Sequence, residues 1–160
     1  MRGPQVGVIG AGFCSAEVAE LAAGVGREIA KHGAVLVCGG LGGVMTAAAR
    51  GAQEMGGFTV GILPGSATID ANPHIDFPIA TNMGQARNAI IVQTSDVLVS
   101  VSGGYGTLSE TALALKIGKG VVALLPEFDI RGVRRAESPE EAVRVALSLI
   151  KTGLVPGPCV

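Results

Sequence analysis

Val101-Ser102-Gly103-Gly104-Tyr105-Gly106-Thr107-Leu108-Ser109-Glu110 carries an apolar run into a helical pattern by way of glycines, then supplies Thr and Glu. Glycine lets a backbone approach a ligand or take a positive φ, and the free N–H groups and positive dipole end of the following helix attract an anion. The construction occurs twice more, as Gly10-Ala11-Gly12 after Val6 to Ile9 and as Gly39-Gly40-Leu41-Gly42-Gly43 after Val35 to Cys38. Three such turns predict a single crevice that holds phosphate.

The rest of the chain alternates in the same way. Gln5 to Ile9, Ala34 to Cys38, Phe58 to Leu63, Ile79-Ala80, Val97 to Val101 and Val121 to Leu125 read as short strands. They are continuous apolar runs without period-two alternation, as expected where both sheet faces are covered. Between them lie helical patterns. Ser15 caps one with Val18, Leu21, Ala22, Val25 and Ile29 at helical spacing, and others run over Val44 to Met55, Met83 to Thr94 and Thr107 to Ile117. Ser138-Pro139-Glu140-Glu141 opens the last, which ends near Lys151-Thr152-Gly153. Pro64 to Pro78 lacks periodicity and reads as a long loop of the kind that carries function. The order predicts a doubly wound parallel α/β sheet, Rossmann-like, in one domain over residues 1–160, with 155–160 as a loose tail. In such sheets ligands lie beyond the carboxyl ends of the strands, where the strand order switches.

Composition narrows the partners. The chain is 48% hydrophobic and 16% charged, with a mean hydropathy of +0.50, more apolar surface than a small monomer hides. A homodimer or homotetramer is expected. A net charge of −1, one Tyr and no Trp argue against both a duplex-binding surface and a platform for stacking single-stranded bases. No apolar stretch approaches the roughly 20 residues of a membrane helix. Cys14, Cys38 and Cys159 are odd in number and widely spaced, which suggests neither a disulfide framework nor a zinc site and places the chain in the reduced cytoplasm. His74 and Asp76 are too few for a metal set, so no metal and no cofactor required for folding are expected.

The first glycine turn imitates a dinucleotide fingerprint, but Ser15 stands where its third glycine belongs. Cys38-Gly39-Gly40 occupies the place of the acid that would hold ribose hydroxyls. Classical nicotinamide binding is therefore not the reading. The candidate ligand contacts are Gly10, Gly12, Gly39, Gly40, Gly42, Gly43, Gly103, Gly104, Gly106 and Thr107. Arg87 shares a stripe with Met83, Ile90, Ile91 and Thr94, a charge on an apolar face near the crevice; it suits phosphate, the alternative being a snorkelling side chain or an ion pair. Glu110 has two readings. In one, Thr107-x-x-Glu110 is a capping box. In the other, Leu108, Thr111, Ala112 and Leu115 form the buried stripe and Glu110 faces the crevice or a neighbouring subunit.

Ser102 to Glu110 resembles the proline-glycine-glycine-x-glycine-threonine-x-x-glutamate motif of the Lonely Guy family, the possible lysine decarboxylases of the SLOG superfamily. Gly39-Gly40-Leu41-Gly42-Gly43-Val44-Met45 resembles the same family's second glycine loop, and with Arg87 between them the resemblance covers about Gln5 to Leu125. It implies one of two activities. Lonely Guy enzymes are phosphoribohydrolases that release the base from nucleoside 5′-monophosphates, and their catalytic Arg and Glu would be Arg87 and Glu110. This chain has Ser102 for the motif's Pro, and its Met83-Gly84-Gln85-Ala86-Arg87-Asn88 lacks the His and Lys of that family's Met-His-x-Arg-Lys segment. The Ala-Arg-Asn form is more similar to the molybdenum cofactor carrier branch, homo-oligomers that bind a pterin phosphate without transforming it. The ligand implied is a molybdopterin-type cofactor or a nucleoside monophosphate. A nucleotide-sensing regulatory subunit is a third reading. No Lys has the setting of a pyridoxal phosphate Schiff base, so decarboxylation is not expected.

Overall fold

The computed structural model describes residues 3–152; the tail expected at 155–160, with Cys159, lies outside them. Seven parallel strands, β1 (Gln5–Gly10), β2 (Val35–Cys38), β3 (Thr59–Leu63), β4 (Phe77–Ala80), β5 (Val97–Val101), β6 (Val121–Leu124) and β7 (Arg134–Arg135), form one sheet in the order β4-β3-β2-β1-β5-β6-β7. The chain winds outward from β1 in one direction, then returns to β5 on the other side. The switch point is thus between β1 and β5, where Gly10 pairs with Val101, and there the carboxyl ends of adjacent strands diverge into a crevice.

Five helices cover the two faces: α1 (Ala16–Lys31), α2 (Val44–Glu54), α3 (Asn88–Thr94), α4 (Tyr105–Lys116) and α5 (Pro139–Thr152). On one face Val25 and Ile29 of α1, Ala48 of α2 and Val143 of α5 pack on Val6, Leu36 and Val99. On the other, Ile91 and Val92 of α3 and Ala114 of α4 pack on Ile9, Val37 and Leu98. The continuous apolar strands follow from this double cover. Helices α1 and α2 meet backbone to backbone, because a Cβ at Gly51 would lie 2.0 Å from the carbonyl oxygen of Ala23.

Caps legible in sequence form. Ser15 Oγ accepts from Val18 N–H at 3.3 Å, and Ser138 Oγ accepts from Glu141 N–H at 3.2 Å while the Glu141 carboxylate accepts from Glu137 N–H at 2.9 Å. Three expectations need correction. The segment expected to be helical from Met83 is a 3₁₀ turn over Gly84–Arg87, with Gly84 at φ +56°, and only from Asn88 an α-helix. Helix α4 begins at Tyr105, so Thr107 lies inside it and the Thr107–Glu110 capping box does not form. Its buried face is Thr107, Glu110, Thr111 and Ala114, not the stripe of Leu108, Thr111, Ala112 and Leu115, since Ala112 is exposed and both leucines are only half-buried. The short edge strand β7 gave no apolar signal, being two exposed arginines.

Candidate functional site

A cleft of about 410 Å³ opens over the switch point, between the glycine turn after β1 and the start of α4. Gly104 carries no side-chain cap for α4, and the first helical hydrogen bond runs from Leu108 N–H to Gly104 O at 2.9 Å. The N–H groups of Tyr105, Gly106 and Thr107 therefore have no acceptor within the helix. All three residues line the cleft. This end of α4 presents donors and a positive dipole to an anion.

The candidate glycines divide by what a side chain would meet. Gly12, Gly104 and Gly106 line the cleft, have no positive φ, and a Cβ on any of them would find nothing within 4 Å. The packing of the chain itself does not call for glycine at these three positions. Gly10 and Gly39 also line the cleft, but their space is taken: a Cβ on Gly10 would lie 2.4 Å from Val101 O, and one on Gly39 would lie 2.6 Å from Arg87 Nη2. Gly40, Gly42, Gly43 and Gly103, also expected as ligand contacts, do not line this cleft; Gly42 is exposed and Gly103 lines a smaller pocket with Ser102 and Pro126. A Cβ at Gly43 (φ +62°) would sit 2.3 Å from Ala11 O, so the second glycine loop is folded tightly against the first.

Arg87 and Glu110 enter the same cleft from the 3₁₀ turn and from α4. Arg87 is buried, with Nε donating to Ile62 O at 2.8 Å, Nη2 to Gly39 O at 3.4 Å and Nη1 to Asn88 Oδ1. Three of its five N–H groups are thereby used, and two remain for a ligand. Glu110 is 7% exposed and accepts no hydrogen bond among the described residues. Burial pushes its carboxyl up to about 7, against the opposing pull of the Arg87 guanidinium. Burial likewise lowers Arg87, and raises the Cys38 thiol to about 11, which leaves Cys38 a packing residue whose sulfur accepts from Gly40 N–H at 3.4 Å.

The long loop before β4 supports the site from outside. Asn72 N–H donates to Gly40 O at 2.9 Å and its Nδ2 to Leu41 O at 2.8 Å, so this loop clamps the second glycine loop. Asp76 is held by Thr59 N–H and Oγ1, both at 2.9 Å, and His74 Nδ1 meets Gln53 Oε1 at 3.0 Å. No group of three or more His, Cys, Asp or Glu able to hold a metal occurs among the described residues. Sequence reasoning missed Gln85, Asn88 and Tyr105 as cleft residues. Their only signal was adjacency to Arg87 and to the glycines of the third turn.

Residues 3–150 match the profile of the SLOG cluster4 family. The chain belongs to the SLOG cluster4 family. This member is 53% identical over 148 residues to an uncharacterized protein of Archaeoglobus fulgidus, covering 92% of this chain and 97% of that one. Among solved structures it resembles the molybdenum cofactor binding protein of Rippkaea orientalis, with a TM-score of 0.88, 39% identity, and coverage of 94% and 99% of the two chains. A cytokinin riboside 5′-monophosphate phosphoribohydrolase of Mycobacterium tuberculosis is 41% identical over 99 residues, 59% of this chain and 52% of that protein. The Rossmann-like fold and the likeness to both Lonely Guy and molybdenum cofactor proteins, expected from the two glycine motifs, are borne out in this SLOG cluster4 chain. No helix among its described residues is long and apolar enough to cross a membrane.

Proposed function

We propose that this chain binds a phosphate-bearing pterin or nucleotide-like molecule in the cleft, in the manner of a molybdenum cofactor carrier. One observation carries the reading: Gly12, Gly104 and Gly106 line the cleft with open space where a Cβ would stand. Gly106 lies inside the first turn of α4, where glycine costs roughly 0.5–1 kcal/mol relative to Ala, and the packing gains nothing from it there. Close approach of a ligand to the peptide N–H groups accounts for it. The phosphate sits at Tyr105, Gly106 and Thr107, and Arg87 supplies the countercharge with its two unused N–H groups. The cleft volume lies within the range of small-molecule sites. A pterin phosphate fits this donor set, and its redox and metal chemistry would be its own, the protein holding and shielding it. The carrier acts as a cytoplasmic homo-oligomer.

A second reading has its own support. A carboxyl near 7 beside an Arg in one cleft suits acid–base cleavage of an N-glycosidic bond, as in the phosphoribohydrolase relative. The two readings separate in one experiment. Native mass spectrometry of the freshly purified protein should detect a bound pterin phosphate, and incubation with nucleoside 5′-monophosphates should release no free base. Base release by wild type, lost in Glu110→Gln, reverses the choice.

A further inference from the structure

Glu110 is the residue that the fold leaves unexplained. It is buried, accepts no hydrogen bond among the described residues, and lines the cleft. The carboxylate is largely withdrawn from water and has no donor in the chain, yet its oxygens are not sealed off and open only to the cleft, so a partner for it is to be sought there. Helix capping does not supply one, because α4 begins five residues earlier at Tyr105. Arg87 offsets the Glu110 charge in part but gives it no hydrogen bond, since the Arg87 bonds go to Ile62 O, Gly39 O and Asn88 Oδ1.

An ionised carboxylate offers two coplanar acceptors and no donor. Its match is a flat group with two adjacent N–H donors, the geometry that makes Arg–carboxylate pairs strong. Among the rings that accompany phosphate in small metabolites, adenine and cytosine pair a donor with a ring nitrogen acceptor, and uracil sets its single N–H between two carbonyls. Only the 2-amino-4-oxo pyrimidine ring of pterins and guanine presents a ring N–H beside an exocyclic amine. We propose that Glu110 reads this edge, one carboxylate oxygen accepting from the ring N–H and the other from the 2-amino group. The proposal rests on the phosphate reading above and adds to it the identity of the ring.

The placement agrees. Thr107 and Glu110 are one turn apart on the same helix and both line the cleft, so phosphate at the start of α4 and a ring edge deeper in are served by one surface. About 6 Å of axial rise separates Gly106 from Glu110, which suits a ligand whose phosphate and ring edge are several ångströms apart. Gln85 and Asn88 bring amides to the same cleft, which suits the carbonyl and ring nitrogens of such a ring. Arg87 and Cys38 act electrostatically on Glu110 or feel its charge, and Tyr105 lines the same cleft. With its free carboxyl near 7, Glu110 should accept two donors better at pH 8 than at pH 6.

Calorimetric titration of the full chain with GMP, IMP, AMP, neopterin monophosphate and inorganic pyrophosphate tests this. IMP differs from GMP only by the 2-amino group. GMP or neopterin monophosphate should bind at least about tenfold more tightly than IMP and AMP, the worth of a hydrogen bond to a charged group. The preference should grow from pH 6 to pH 8 and fall to near unity in Glu110→Gln, with folding checked by thermal melting. The tighter of the two says whether the ring is a pterin or a guanine. Equal affinity for GMP and IMP overturns the edge reading and leaves the phosphate site standing. No binding of any probe, pyrophosphate included, overturns the phosphate reading and this one with it. Release of guanine from GMP that Glu110→Gln abolishes makes Glu110 an acid–base group and overturns the proposal. If Glu110→Gln does not fold, the wild-type GMP to IMP ratio and its pH dependence decide.

Discussion

Gly39 and Arg87 compete for one volume: a Cβ on Gly39 would lie 2.6 Å from Arg87 Nη2 and 2.7 Å from Met45 Sδ. The guanidinium reaches the cleft because residue 39 has no side chain. Gly39→Ala should therefore displace Arg87 and weaken pyrophosphate binding about tenfold, the loss of roughly one charge-assisted hydrogen bond. Titration calorimetry checks it, and unchanged affinity would show that Arg87 does not hold the anion.

Gly104→Val tests the opposite kind of glycine. Its Cβ direction is empty and its φ of −95° is not left-handed, although its ψ of −142° lies outside the usual extended range. Stability should fall by on the order of 1 kcal/mol, from the N-cap position and its ψ, while the isopropyl group blocks the anion from the α4 N–H groups and binding is lost. A variant that folds and still binds with wild-type affinity would move the phosphate elsewhere.

Glu110 makes stability depend on pH with a definite sign. Its carboxyl stands near 7 when folded, above its ordinary value of 4.5, so between these values the folded state holds more protons than the unfolded one. Stability then falls as pH rises from about 4.5 to 7, and levels off above. Glu110→Gln should remove this fall, leaving the variant more stable than wild type at pH 8 by on the order of 1–3 kcal/mol, with the gap closing toward pH 4.5. Denaturant titrations at three pH values measure it. A variant less stable than wild type at pH 8 would contradict the assignment.

The β4 edge predicts self-association. Phe77 and Ile79 pair in register with Val60 and Ile62, and both are exposed, as is Phe58, whose ring lies 6.2 Å from that of Phe77. An apolar edge of this kind invites a second copy. Light scattering at micromolar concentration should give a mass well above 16.0 kDa, and Phe77→Lys should lower it.

The α/β alternation and the position of the crevice were legible because double-covered parallel strands must be apolar throughout, and because a turn that grips an anion needs glycine whatever the rest of the sequence does. What escaped reading depended on distance in the chain. The clamp from Asn72 to Gly40 and Leu41 joins residues some thirty positions apart, and its acceptors are main-chain carbonyls, which carry no sequence signal. Thr107 and Glu110 have capping-box spacing, but whether a helix starts before or after them is decided by where Val101 leaves the sheet. Of the glycines in the three turns, sequence could not separate those spared a side chain by crowding, such as Gly43, from those whose Cβ direction is empty, such as Gly106.

The clamp formed by Asn72 has a bearing on how the chain could diversify. Because the second glycine loop is braced from outside the cleft by hydrogen bonds to its own carbonyls, the scaffold does not lean on the side chains that meet the ligand. Peptide groups grip the part that all phosphorylated metabolites share, and Gln85, Tyr105 and Glu110 are free to vary with what is attached to it, while Asn88 stays to hold Arg87. A handful of substitutions at those three positions could retune one ancestral cradle to new cargo, or to turnover, with the frame untouched.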